Sequence, residues 1–281
     1  MRSKLFVPGG RPDFFDKALG GDADALSFDL EDAVPQDGKA AARARLAEYL
    51  ASDAVRMSTK TIIVRVNDPS STAFDADLAA LAAARVDMLN LPKINDADML
   101  RTAAARIARA MGRVPSLLVN IETPNALARA ADIGAAHQAV VGLQVGLNDL
   151  FATLGITRRV REHVQTALWS IRLAAGEAGC FASDGAWPDI ADSEGFIAEA
   201  QLARSLGFVG KSCIHPRQVA LANAVFGVEA QALERARRLV AAARDAAAAG
   251  HGAFAFEGAM VDRPIVAEAE ALLARANRGE R

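Results

Sequence analysis

Two acidic residues lie where buried strands are predicted to end. Glu122 follows the apolar run LLVNI and precedes Thr123-Pro124-Asn125, a helix start with Thr as N-cap and Pro in the first turn. Asp149 comes at the end of the next apolar run, AVVGLQVGL, after Asn148. Neighbouring parallel strands are about 4.8 Å apart, so the two carboxylates would raise each other's pKa unless a cation lay between them. Oxygen ligands without His or Cys suit Mg²⁺ rather than Zn²⁺, although each acid could instead only cap a helix.

An arginine lies inside the strand-like run TIIVRVN. Burying Arg65 would be costly without an anion, so it needs a neighbouring acid or an anionic ligand. Its guanidinium could bind a carboxylate through two hydrogen bonds or stabilise a developing oxyanion. Three acids, Asp29, Glu31 and Asp32, end the preceding strand-like run. They could hold waters around a bound metal ion or simply pair with nearby basic residues, and for Asp29 the pairing is favoured.

Strand-like runs alternate with amphipathic helical segments over roughly 220 residues. The predicted strands cover residues 3–8, 25–31, 61–67, 88–93, 117–122, 139–147, 180–183 and 207–214. Eight strands alternating with helices indicate a (β/α)8 TIM barrel, with a doubly wound sheet as the alternative because periodicity does not show closure. In a barrel, the charged residues at the carboxyl ends of the strands meet on the face where active sites are built.

The chain continues well beyond the eighth predicted strand. We predict the barrel over residues 1–223 and a C-terminal helical extension over 224–281. A helix from about 229 to 249 leads into GHGAFAFEGAMVDRP, and a last helix runs from 265 to 276. The intervening segment is too apolar for a free linker, so we expect it to pack as a lid on its own barrel mouth or on a neighbouring subunit.

Composition narrows the class of protein. With 52% hydrophobic and 23% charged residues, the chain can build a sizeable core. A net charge of -2 and 5% aromatic residues argue against nucleic-acid binding and against a polybasic membrane surface. Cys180 and Cys213 lack metal or redox spacing and suit reduced core positions in a cytoplasmic protein. The first residues, MRSKLFVPGG, contain no long apolar segment, so no export signal is expected.

Eight motifs together resemble the citrate lyase β-subunit/malyl-CoA lyase family, the HpcH/HpaI aldolase/citrate lyase group. They cover nearly the whole chain in the order typical of that family. The motifs are RSKLFVPGGRP at 2–12, DLEDAV at 29–34, VRVN at 64–67, LPK at 91–93, IETPNAL at 121–127, GLNDL at 146–150, GKSCIHPRQV at 210–219 and FEGAMVDRP at 256–264.

The resemblance implies a (β/α)8 barrel that cleaves or forms 3-hydroxyacyl-CoA thioesters with Mg²⁺. It makes Glu122 and Asp149 the metal ligands and Arg65 the residue that polarises the substrate thioester. The implied reaction is a reversible Claisen-type cleavage to acetyl-CoA and an oxo acid, in which Arg65 stabilises the enolate oxygen. Which group removes the hydroxyl proton stays open.

The resemblance also implies a shared site in a homo-oligomer, a trimer or hexamer. Phe6, Arg11 and Lys17 match positions that line the entrance for CoA and substrate. Asp262 matches an acid that the C-terminal segment of one subunit delivers to a neighbouring site, where it would exchange a proton with the enolate carbon. From the residues alone, Asp262 beside Pro264 would most simply begin a helix.

One departure from the family pattern concerns the residue before Asp149. Many members have an acid there, whereas this chain has Asn148, which lowers the local negative charge.

The identity of the substrate stays open between citryl-, malyl- and citramalyl-CoA. Three other activities remain as alternatives: a malyl-CoA-type thioesterase, an aldolase for free 2-oxo acids, and a non-catalytic subunit that depends on an acyl-carrier partner.

Overall fold

Eight parallel strands form the centre of the protein in the computed structural model, which describes residues 1–279 except for the side chains of 275 and 277–279. The strands are short and almost entirely buried, as expected for a sheet covered by helices. They are β1 (Ser3–Pro8), β2 (Ala25–Asp29), β3 (Thr61–Arg65), β4 (Met88–Leu91), β5 (Ser116–Ile121), β6 (Val140–Val145), β7 (Phe181–Ser183) and β8 (Lys211–Cys213).

The sheet closes on itself. Strands β1 to β7 pair in sequence order, and β8 pairs with β1. The remaining gap is joined by a parallel bridge between Asp184, just after β7, and Lys211 of β8. Backbone hydrogen bonds of 2.8 Å from Asp184 N to Gly210 O and 3.0 Å from Ser212 N to Asp184 O complete the circuit. The predicted (β/α)8 barrel is therefore confirmed, and the doubly wound sheet is not the fold.

Helices connect the successive strands and cover the barrel. Their buried faces pack in one large apolar cluster with the strand residues that point outward from the barrel, whereas Ala25, Ile63, Met88 and Leu118 form a smaller cluster inside it. The helices are α1 (Phe15–Leu19), α2 (Lys39–Leu50), α3 (Asp53–Met57), α4 (Thr72–Leu81), α5 (Ala97–Met111), α6 (Pro124–Ala128), α7 (Ala130–Ala135), α8 (Leu147–Leu154), α9 (Arg161–Glu177), α10 (Ser193–Ser205) and α11 (Pro216–Phe226), with 3₁₀ turns at Pro12–Phe14 and Gln36–Gly38.

The second compact unit begins at Gly227, after the end of α11. The boundary predicted after residue 223 instead falls inside that helix. The unit consists of α12 (Ala230–Ala248), a hairpin of β9 (Phe254–Phe256) and β10 (Ala259–Val261), and α13 (Arg263–Gly279). Positive φ angles of 50° and 83° at Glu257 and Gly258 suit the tight turn between the two strands.

A small apolar cluster of its own stabilises this second unit. Leu239 and Val240 of α12 pack there with Val261 of β10 and Ala269 of α13. The sequence predicted both helices and an apolar segment between them, but not the hairpin. Packing of this unit on a neighbouring subunit stays a prediction. Among the described residues, no helix combines the length and hydropathy that crossing a membrane requires.

Candidate active site

The junction of β5 and α6 fixes the position of Glu122. Thr123 accepts a hydrogen bond from Ala126 N at 3.1 Å and caps α6, as the sequence predicted. Glu122, immediately before this cap, is 5% exposed. Its Oε1 accepts from the backbone N–H of Lys93 at 2.7 Å, and its Oε2 accepts from Asn120 Nδ2 at 3.1 Å. The carboxylate therefore projects from the carboxyl end of its strand in a fixed orientation.

The loop after β4 contributes to this orientation. Lys93 has a φ of 56°, an uncommon left-handed conformation for a residue with a side chain. This conformation accompanies the hydrogen bond from its N–H to Glu122. Backbone strain of this kind is typical of functional sites, where the surrounding structure maintains it.

Asp149 lies in the first turn of α8 rather than at the end of a strand. The predicted strand at 139–147 was too long at its carboxyl end, because β6 ends at Val145 and Leu147 already belongs to the helix. Gly146 makes the intervening turn, and its backbone approaches Glu122 so closely that a Cβ there would lie 2.4 Å from Glu122 Cβ. The short turn brings Asp149, which is exposed, to the same cavity as Glu122.

This cavity, of about 370 Å³, opens at the carboxyl ends of the strands. Burial raises the pKa of Glu122, and the charge of Asp149 adds to that effect. A cation between the two acids would relieve their repulsion. The cavity wall includes Phe6, Pro8, Asp29, Asp32, Ala33, Arg65, Asn120, Glu122, Gln144, Asn148, Asp149, Arg158 and Ile214.

The donor set of the cavity fits Mg²⁺. Glu122 and Asp149 supply carboxylate oxygens, and neither His nor Cys lines the cavity. Within residues 1–279, no group of three or more His, Cys, Asp or Glu side chains is placed to hold a metal ion. A cation on Glu122 and Asp149 would therefore take its other ligands from water or substrate, which is usual for Mg²⁺.

Arg65 is surrounded by the acids at and just after the end of β2. Its Nε and Nη2 donate to the two oxygens of Asp29 at 2.8 and 2.6 Å. Its Nη1 lies 2.9 Å from Glu31 Oε2 and 3.4 Å from Asp32 Oδ2. Although burial alone would lower the pKa of Arg65, the neighbouring Asp29 raises it, so the guanidinium stays charged. The structure thus brings together Arg65, Asp29, Glu31 and Asp32, and Asp29 has the pairing role favoured from sequence.

Glu31 links this arginine to the loop that holds Glu122. Besides Arg65, it contacts Lys93 Nζ at 2.8 Å. Both carboxylate oxygens of Glu31 are buried. Their contacts with Arg65 and Lys93 are ion pairs that do not have hydrogen-bond geometry. Burial raises the pKa of Glu31 to about 7, because desolvation outweighs the two cations. Glu31 does not line the cavity, whereas Asp32 does.

Arg158 is a cavity residue that the sequence did not indicate. It donates to both oxygens of Glu199 at 2.6 and 3.1 Å, and its Nη1 donates to Asn148 Oδ1. An amide at position 148 therefore accepts from Arg158 without adding a charge. Glu199 also contacts the buried Lys211 at 2.7 Å, and although burial opposes it, Lys211 holds the pKa of Glu199 below its usual range. No motif predicted this network, because its members are far apart in sequence.

Of the three residues predicted to line the entrance for CoA and substrate, one lines the cavity and two lie outside its wall. Phe6 lines the cavity, and the Arg65 guanidinium carbon lies 5.2 Å from its ring centroid. Arg11 and Lys17 are exposed outside the cavity wall, and Arg11 pairs with Asp13 at 2.8 Å. His215 Nδ1 accepts from Arg217 N at 3.1 Å at the start of α11. Asp262 belongs to the second unit, where its carbonyl accepts from Val266 N at the start of α13.

The barrel is closed, and two acids, an arginine and an open cavity lie at the carboxyl ends of its strands. TIM-barrel enzymes have their active sites on this face. Residues 2–216 match the HpcH/HpaI aldolase/citrate lyase family, and the chain belongs to that family. The resemblance inferred from the eight motifs is thereby confirmed.

Two relatives match this chain over nearly its full length. A (3S)-malyl-CoA thioesterase from Cereibacter sphaeroides is 38% identical over 277 residues, which cover 98% of this chain and 94% of that protein. The citrate lyase subunit beta of Escherichia coli is 37% identical, with 98% and 93% covered. A structure of CitE from Mycobacterium tuberculosis, in complex with magnesium, acetoacetate and coenzyme A, has a TM-score of 0.79 and 35% identity, covering 99% of this chain and 100% of that chain.

Proposed function

We propose that this protein is a Mg²⁺-dependent carbon–carbon lyase that cleaves a 3-hydroxyacyl-CoA thioester to acetyl-CoA and an oxo acid. The observation that carries the proposal is the placement of Glu122 and Asp149 on one cavity, beside Arg65, in a chain of the citrate lyase family. The crystallised relative with magnesium, acetoacetate and coenzyme A supports this choice of cofactor and substrate class.

Glu122 and Asp149 are the proposed magnesium ligands. When bound there, Mg²⁺ would supply Lewis-acid polarisation of substrate oxygens. The protein's own contribution is to hold the ligands in place. Hydrogen bonds from Lys93 N and Asn120 Nδ2 orient the Glu122 carboxylate, and each of its oxygens keeps a lone pair for the cation.

Arg65 is proposed to stabilise the enolate oxygen that develops when the carbon–carbon bond breaks. A guanidinium has five N–H donors, and the contacts with Asp29, Glu31 and Asp32 leave one Nη2 hydrogen for substrate. Three acids hold the group rigidly, so little reorganisation would accompany the reaction. We assign proton exchange with the enolate carbon to Asp262 of a neighbouring subunit. Because this assignment requires more than one subunit, we also propose that the protein forms a trimer or hexamer.

The CoA portion is proposed to lie across Phe6, Arg11 and Lys17. Arg11 and Lys17 are exposed cations on the segment that follows β1 at the carboxyl end of the barrel. Cations at that position suit the phosphates of CoA. Phe6, of β1, lines the cavity itself.

The test is a product assay with the purified protein, Mg²⁺ and (3S)-malyl-, citramalyl- and citryl-CoA. We expect one of the three to yield acetyl-CoA and an oxo acid, and chelation of Mg²⁺ to stop the reaction. Glu122→Ala should lower kcat/KM by at least about 1000-fold because the metal loses a ligand. Glu177→Ala, which removes an exposed acid from α9, is the matched control and should keep full activity. Full activity in Glu122→Ala would disprove the site.

A thioesterase is the second candidate, supported by the 38% identity to a (3S)-malyl-CoA thioesterase. Such an enzyme would use the same residues but release free CoA and the free hydroxy acid. The same assay separates the two, because a thiol reagent detects free CoA and not acetyl-CoA. Turnover of free 2-oxo acids without CoA would instead identify an aldolase, and no turnover of any substrate would favour a subunit that needs a partner.

A further inference from the structure

The first turn of α8, which carries Asp149, has no capping side chain. Its N-cap is Gly146, and burial of Leu147 and Leu150 holds only the inner side of the helix. In the described part of the chain, the Asp149 carboxylate makes no hydrogen bond and no ion pair. Glu122, by contrast, is oriented by two hydrogen bonds. The direction in which Asp149 points therefore depends on how the start of the helix is held.

A hydrogen bond from Arg158 holds the outer side of this turn. The guanidinium Nη1 donates to Asn148 Oδ1. Among the described residues, no other side chain forms a hydrogen bond with residues 147–149. A guanidinium carries only donors, so this contact fixes which end of the Asn148 amide faces the arginine. Because Asn148 directly precedes Asp149, the bond acts on the backbone that carries the proposed metal ligand.

Arg158 is itself anchored on two other segments of the barrel. Its Nε and Nη2 donate to Glu199 of α10 at 3.1 and 2.6 Å, and Nη2 also donates to Ala186 O, after β7, at 2.8 Å. Glu199 is in turn paired with the buried Lys211 of β8 at 2.7 Å. The Arg158 side chain is 12% exposed, so these contacts define its position. It thus ties the start of α8 to segments beside the strands that close the barrel.

We propose that Arg158 is a positioning residue for the magnesium ligand Asp149 and that it acts through Asn148. Groups that surround a metal site without touching the metal commonly set the orientation of its ligands. Asn148 gives the arginine an acceptor without adding a negative charge. This inference rests on the proposed function and deepens it, since it assigns part of the Mg²⁺ affinity to a residue that does not bind the ion.

Electrostatics alone predicts the opposite effect for this arginine. Arg158 lines the same cavity as Glu122 and Asp149, and a positive charge there repels a cation. On that ground, removing Arg158 should tighten the binding of Mg²⁺. If Arg158 positions Asp149, its removal should weaken binding although the repulsion is lost. The sign of the change in affinity separates the two effects.

The experiment is isothermal titration of the metal-free full chain with Mg²⁺ alone. We expect Arg158→Met to raise the Kd about 10–100-fold, the usual effect of losing a group that orients a metal ligand. Asn148→Leu removes the acceptor but leaves the pair of Arg158 and Glu199 intact, so it should raise the Kd by a similar factor. Asn148→Asp keeps an acceptor for Arg158 and should bind Mg²⁺ at least as tightly as the wild type.

Arg159→Met is the matched control, because it removes the same charge one residue further along the chain. Arg159 is exposed, and its contacts with Asp189 and Asp192 are 3.5 and 3.4 Å long. Its replacement should not raise the Kd. The double variant of Arg158→Met and Asn148→Leu should bind Mg²⁺ like either single variant, since all three lack the same hydrogen bond.

An unchanged or lower Kd in Asn148→Leu would overturn the inference, as would additive effects in the double variant or a raised Kd in Arg159→Met. Asn148 is exposed, so Asn148→Leu keeps the test decisive even if Arg158→Met does not fold. The proposed function would survive these results if Glu122→Ala abolished the binding of Mg²⁺. A wild type that bound no Mg²⁺ would overturn both.

Discussion

Gly146 controls the position of Glu122 because no side chain fits between them. A Cβ at residue 146 would lie 2.4 Å from Glu122 Cβ and 3.0 Å from Glu122 Oε2. We therefore expect Gly146→Ala to displace the carboxylate while β6 and α8 remain folded. Isothermal titration with Mg²⁺ should show affinity weakened about 10–100-fold, the usual effect of misorienting a metal ligand.

A second glycine provides the control for this substitution. A Cβ at Gly20 would meet only Asp16 O, at an ordinary 3.5 Å. Gly20→Ala should therefore bind Mg²⁺ as the wild type does. If Gly146→Ala also kept wild-type affinity, Glu122 could not be the ligand, whatever the activity of that variant.

Single residues differ in how far the sequence predicted them. Glu122 was predictable, because its position depends on the local change from an apolar run to Thr-Pro helix-start chemistry. The pairing of Arg65 with Asp29 was one of the alternatives weighed, since a buried arginine requires an anion. The orientation of Gln144 was not predictable, because Lys4, which fixes it, lies 140 residues away. Only the closed barrel brings such residues together.

Among the secondary-structure elements, β8 closes the barrel through a buried ion-pair cluster. Lys211 Nζ lies 2.6 Å from Asp184 Oδ2 and 2.7 Å from Glu199 Oε1, and all three side chains are nearly inaccessible to solvent. Lys211→Met would leave two acids buried together without their shared cation. We expect the free energy of unfolding to fall by about 3–5 kcal/mol, the usual cost of removing one partner from a buried pair.

Urea unfolding followed by tryptophan fluorescence measures this change, because Trp169 and Trp187 both lie in the barrel unit. Arg56→Met is the control, since it removes an exposed ion pair with Asp53 in α3. That variant should stay within about 1 kcal/mol of the wild type. A loss in Lys211→Met no larger than in Arg56→Met would show that the cluster does not stabilise the closure.

The element boundaries show where periodicity is informative. The amphipathic segment between the strands predicted at 88–93 and 117–122 is α5, with Asp96 as its side-chain cap and Gly112 at its end. Asp149 was assigned to a strand end because its preceding apolar run continues into α8, whose Leu147, Leu150 and Phe151 are buried. Apolar residues alone do not separate a buried strand from the first turn of a buried helix. The β9–β10 hairpin was missed because its strands have only three residues each.

At the scale of the whole molecule, Asp262 raises the question of which subunit completes the site. It lies between β10 and α13 in the second compact unit, whereas Glu122 lies in the first. If each site combines the barrel of one subunit with Asp262 of another, two inactive variants should complement each other. We therefore predict that Glu122→Ala and Asp262→Asn, each inactive alone, regain activity when co-expressed as mixed oligomers.

The size of the recovery follows from random assembly. A site is active only if its barrel comes from the Asp262→Asn chain and its neighbour's extension comes from the Glu122→Ala chain, so about a quarter of the sites should work in a ring of any size. Mixing the two purified homo-oligomers without subunit exchange is the control and should restore nothing. Recovery of activity requires sharing between subunits, because two variants that each complete their sites within one chain cannot produce an intact site. No recovery in mixed oligomers whose composition is verified by mass spectrometry would place Asp262 in its own subunit's site or outside the reaction.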